Sequence, residues 1–159
     1  MALSRSSPWT AILLGGLVAG TIDVGAAALI NLVSPVLILH YIAAGLLGRE
    51  AALAGGWPVA VLGLLLQWAM SLIIAAIFVL AAQVIPALNR AWLPFGLAYG
   101  VGIFVVMNYV VLPLSAAMKK PHFPHFTPAP FIENLLAMLL FGTIVAWFAQ
   151  RQPGETGKA

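Results

Sequence analysis

Gly15-Gly16-Leu17-Val18-Ala19-Gly20-Thr21-Ile22-Asp23-Val24-Gly25-Ala26-Ala27-Ala28-Leu29-Ile30 carries one carboxylate in an otherwise nearly apolar stretch, and its reading decides the fold. The apolar character runs from Trp9 to Val33. As a helix that run reaches ~37 Å, enough to cross a hydrocarbon core of ~30 Å. Asp23 then lies at membrane depth. A charge there costs about 3 kcal/mol or more and persists mainly where a partner or a task exists.

The rest of the chain agrees. Of 159 residues, 63% are hydrophobic and only 7% charged, against about 25% charged in soluble domains. Mean hydropathy is +1.07. Four apolar runs have membrane length: residues 9–33, 57–82, 92–112 and 131–150. The expectation is an all-α membrane protein, a single four-transmembrane-helix bundle with a polar tail at 151–159. Val36 to Leu47, after the break at Ser34-Pro35, is too short to span and predicts an interfacial or re-entrant helix between spans one and two. Arg49-Glu50 and Gly55-Gly56 predict a turn, Gln83 to Ala91 a loop, and Ser115 to Pro130 a long connection. Trp9, Trp57, Trp92 and Trp147 fall near span ends, as an aromatic belt requires.

The first run outlasts a secretory signal, whose apolar core is ~7–15 residues, so it reads as a retained span. Arg5, Arg90, Arg151 and Lys158 map to one side, and Arg49, Lys119 and Lys120 to the other, which favours cytoplasmic termini. The seven Lys and Arg form no basic stripe, which argues against nucleic-acid binding. The absence of cysteine excludes disulfides and thiolate chemistry. No cofactor fingerprint or hydrolase motif occurs, so no catalytic residue and no cofactor are assigned.

Helical phasing places Gly16, Gly20, Asp23 and Ala27 on one stripe, with Gly16 and Gly20 spaced for close helix approach. Asp23 therefore shares a packing face. In the second run Ala60, Gly63, Gln67 and Ser71 form a comparable stripe, and antiparallel pairing sets Gln67 within about a turn of Asp23. Gly96 and Gly100 line the third run, with Asn108 on a different face, and Gly142 is a packing position in the fourth. Gly16-Leu17 with Gly20 echoes Gly96-Leu97 with Gly100, the pattern of a duplicated hairpin.

Four spans gather His40, Glu50, His122, His125, Glu133 and Asn134 at one end of the bundle. A metal site on His122 and His125 is weak, because Pro124 does not aim both rings inward. Glu133 suits the first turn of its helix. A relay of protons from surface histidine to Asp23 is a third use of that end.

Pro86 before Trp92, Gly96-Leu97 with Gly100, Val111-Leu112-Pro113-Leu114, Glu133-Asn134, Gly142 and Trp147 through Arg151 resemble the YagU-like family of bacterial inner-membrane proteins. The likeness covers residues 86–151, and spacing departs between Glu133 and Gly142. It implies an inner-membrane location and no mechanism. Two functional expectations follow. One is an accessory, assembly or stress-related membrane protein, surrounded by the lipid bilayer and joined to a membrane-protein partner or to further copies of itself. The alternative is a small oligomeric transporter or channel coupled through Asp23.

Overall fold

The computed structural model describes residues 7–118 and 128–151, and the regular structure among them is helical throughout. The helices are α1 (Pro8–Ile30), α2 (Pro35–Leu47), α3 (Arg49–Ala54), α4 (Trp57–Val84), α5 (Pro86–Arg90) and α6 (Trp92–Val106). A π-helical segment, Met107–Val111, joins α6 to α7 (Leu112–Leu114), and α8 covers Pro128–Ala149. Four spans are long and apolar enough to cross a membrane: α1, α4, the continuous Trp92–Leu114 rod, and α8. The protein is the expected all-α bundle of four membrane-length helices with one shorter apolar helix.

Local chemistry sets the boundaries. Ser7 accepts from Thr10 N at 3.3 Å and Pro8 opens α1, where a missing N–H costs nothing. Ser34 and Pro35 repeat the device for α2, with Ser34 Oγ accepting from Leu37 N at 3.3 Å. Between them α1 closes through Leu32, held at φ 52°, while the Val33 N–H reaches back to Ala28 O at 3.0 Å. That six-to-one bond is the usual helix-terminating geometry, made here without glycine.

Two expected irregular stretches contain short helices. Arg49–Ala54 is helical because Gly48, at φ 82°, ends α2 and the following Arg-Glu-Ala-Ala-Leu-Ala is rich in strong helix formers. Pro86–Arg90 forms one turn that Pro86 initiates. The third span also continues through Pro113. The Leu112 N–H bonds to Met107 O, five residues back, and this wider turn carries the helix into the proline. The fourth span begins at Pro128 rather than at Phe131, so Glu133 is its sixth residue and lies beyond the first turn.

The spans pack in the ring order α4, α1, α8, α6, neighbours antiparallel. Glycine permits three of the seams to close tightly. A methyl on Gly16 would lie 2.9 Å from Leu72 Cδ2, and one on Gly20 would overlap Ser71 Oγ, fixing α1 against α4. A methyl on Gly142 would overlap Gly96 O and lie 2.6 Å from Gly100 N, fixing α6 against α8. Gly63 in α4 likewise admits the Leu39 carbonyl of α2. Gly15 also lets α1 approach α8, a methyl there lying 3.2 Å from Phe148 Cβ, while Ala11 and Ala19 of α1 and Ala149 of α8 are essentially buried in the same apolar core. By contrast α4 and α6 meet through side chains: Tyr99 donates to Ile74 O at 2.8 Å and its ring lies 5.0 Å from that of Phe78.

Helix α2 caps one end of the bundle. Its partners are the Gly55 and Gly63 region at the start of α4 and the end of the third span, where Ala116 N donates to Gly45 O at 2.9 Å. The cap is latched by His40. Its Nδ1 lies 2.8 Å from Val36 O and its Nε2 2.9 Å from Gly55 O. Carbonyls only accept, so both bonds require both ring nitrogens protonated. The Val36 carbonyl foremost, then that of Gly55, therefore raise this histidine above its ordinary value of 6.5.

Two expectations follow. Gly142→Ala should destabilise the bundle by about 1–3 kcal/mol through overpacking. Gly102→Ala, with nothing within 4 Å of the added methyl, should be neutral or stabilising by up to about 1 kcal/mol; thermal unfolding of the two purified variants in detergent compares them. The His40 latch is complete below the unfolded-state value and lost as pH rises through the higher folded-state value. Wild-type thermal stability should accordingly fall as pH is raised from about 6 to about 9, and His40→Gln should flatten that dependence.

Candidate functional site

Asp23 stands seven residues before the end of α1, Gln67 ten residues into α4, Asn108 six before the end of the third span and Asn134 six into α8. At 1.5 Å per residue all four lie ~9–15 Å from the end that α2 caps. The antiparallel pairing therefore brings them to one level, and the structure joins them around a cavity of about 220 Å³.

Gln67 organises the first half of the site. Its Nε2 donates to Asp23 Oδ2 at 2.9 Å and to Gly20 O at 3.3 Å. One residue on, Trp68 Nε1 donates to Thr21 Oγ1 at 3.1 Å, and Thr21 in turn donates to Leu17 O at 2.7 Å. One turn of α1 is thus tied to one turn of α4. Ser71, a turn beyond Gln67, is 2% exposed and also reaches the cavity wall.

Asn108 and Asn134 supply the other half. Asn108 is buried, donating from Nδ2 to Phe104 O at 2.9 Å and, at a longer 3.5 Å, to Asn134 Oδ1. It belongs to the π-helical segment, a form that is rare and concentrated at functional sites. The remaining wall is apolar and includes Met70, Met107 and Met138, three of the five methionines in the chain. These thioethers carry no periodic signal in the sequence. The clue was Pro113 in a membrane-length run, which forces an adjustment of the helix just where Met107 and Asn108 lie.

Among the described residues that line the cavity, Asp23 is the one ionisable group, and no Lys, Arg or His joins it. A carboxylate at this depth is stable either neutral or beside a cation, because isolated charge in a low-dielectric surrounding is costly. The arrangement can therefore hold a proton or a small cation, with amide and hydroxyl groups completing its hydrogen bonds.

The other polar candidates sit apart from the cavity. His40 is committed to the α2 latch, Glu50 lies in the first turn of α3, and Glu133 is exposed on α8. His122 and His125 fall outside the described residues. Among the described residues no group of three or more His, Asp or Glu gathers where it could hold a metal ion. At the opposite end the Arg151 guanidinium stacks 3.4 Å from the Trp147 ring centroid, an interfacial anchor of cation–π type. No family model, curated protein or solved structure matches the chain.

Proposed function

We propose that this small membrane protein moves a small cation across a bacterial inner membrane, with Asp23 as the group that holds it. One observation carries the reading: the carboxylate faces a largely apolar cavity walled by four spans, and among the described residues no basic side chain lines it. Fastening of the first hairpin does not call for a carboxylate. Gln67 also bonds to the Gly20 carbonyl, Trp68 bonds to Thr21, and the Gly16 and Gly20 stripe already closes that seam. The accessory or stress-related role gains no specific support from any described residue.

With the termini cytoplasmic, as the loop charges favour, the cavity lies nearer the periplasmic end under α2. The likeness of residues 86–151 to YagU-like proteins agrees with the inner membrane. A second copy, or a membrane-protein partner, would supply the remaining wall of a pathway.

The experiment is flux into proteoliposomes under an imposed gradient of protons or of a monovalent cation. Wild type should show flux that depends on pH. Asp23→Asn keeps an oxygen for Gln67 to bond and should reconstitute normally, yet lose at least about nine-tenths of the flux, the tenfold effect of about 1.4 kcal/mol expected for a lost charge interaction. Full activity in that variant would sink the proposal.

A further inference from the structure

We infer that the cavity binds a small organic ammonium ion, with the charged nitrogen at Asp23 and an alkyl or aryl body among the methionines. The inference rests on the cation reading above and names the class of cation.

Three features of the cavity select that class. The first is size. A cavity of about 220 Å³ is larger than the roughly 150 Å³ that admits benzene, so a bare metal ion would not reach ligands on opposite walls. The second is charge. Among the described residues the lining holds one carboxylate and no basic group, which matches a single positive charge, and a divalent ion would leave an unbalanced one.

The third is the character of the wall. Asp23, Gln67 and Asn108 occupy the polar part, while Met70, Met107 and Met138 make much of the rest apolar and deformable. Unbranched thioethers fill irregular gaps and suit surfaces that accept ligands of varying shape. A hydrated alkali ion would find few partners among them. An ammonium headgroup on a hydrocarbon body satisfies both parts of the cavity at once, as small-molecule sites of this kind do.

The π-helical segment adds a structural reason. Met107 and Asn108 come from its first turn, so one local adjustment delivers both an apolar and a polar contact to the cavity.

Isothermal titration of the full chain in nanodiscs tests this with benzyltrimethylammonium and its uncharged carbon isostere, neopentylbenzene. The ammonium should bind saturably and the isostere at least tenfold more weakly. Asp23→Asn should weaken the ammonium at least tenfold and leave the isostere unchanged. Met107→Phe, which narrows the cavity, should weaken both ligands at least tenfold. Equal binding of ammonium and isostere, or no loss in Asp23→Asn, overturns the inference. If no ammonium binds while Asp23-dependent flux of protons or alkali cations is present, the ligand class is wrong and the cation reading stands; if neither is present, both fall.

Discussion

The unequal closing of the four interhelical seams shapes everything else in this bundle. In hydrocarbon no solvophobic force drives apolar helices together, so close packing depends on how near two backbones can come. Gly16 and Gly20 bring α1 onto α4, and Gly96, Gly100 and Gly142 bring α6 onto α8. Gly15 brings α1 against Phe148 of α8. The fourth seam, α4 against α6, is held by Tyr99, Phe78 and other long side chains instead. Those side chains keep the backbones apart. The cavity beside Asp23 is the space left by that difference, and it needs no separate architectural device.

The π-helical segment then fits the third span to that space. A turn whose donor and acceptor lie five positions apart rotates less per residue than an α-helix, so Leu112 stays on the cavity side with Ile103, Met107 and Asn108. The same segment absorbs Pro113, whose missing N–H would otherwise open the ladder near the end of the span. Asn108 stabilises the widened turn through its bond to Phe104 O. Sequence, helix distortion and site are thus linked by one proline and one asparagine.

How much of this could be read from the chain follows from the kind of signal each feature leaves. Span number and length are legible because hydropathy acts over about twenty residues and few alternatives satisfy the backbone in lipid. Asp23 and Gln67 share a level because fixed rise and antiparallel pairing leave little freedom; the 2.9 Å contact between them is that arithmetic made local. The short helices Arg49–Ala54 and Pro86–Arg90 were obscured because Gly and Pro flanking them read as loop. The π turn was hidden in the same way, since a proline inside an apolar run reads as an end. The methionine wall left no trace, because Met70, Met107 and Met138 lie on three spans and only the ring order of the bundle unites them.

One asymmetry in the hydrogen bonds bears on what Asp23 is for. Gln67 Nε2 serves two acceptors, the Asp23 carboxylate and the Gly20 carbonyl. Loss of the first bond leaves the second, and the Trp68–Thr21 bond and the glycine seam stay intact. The hairpin therefore does not depend on the charge state of Asp23. A group whose only duty was fastening would be expected to carry the fastening. Here the fastening is redundant, so a change at the Asp23 carboxylate leaves the helices around it joined through Gln67–Gly20, Trp68–Thr21 and the glycine seam.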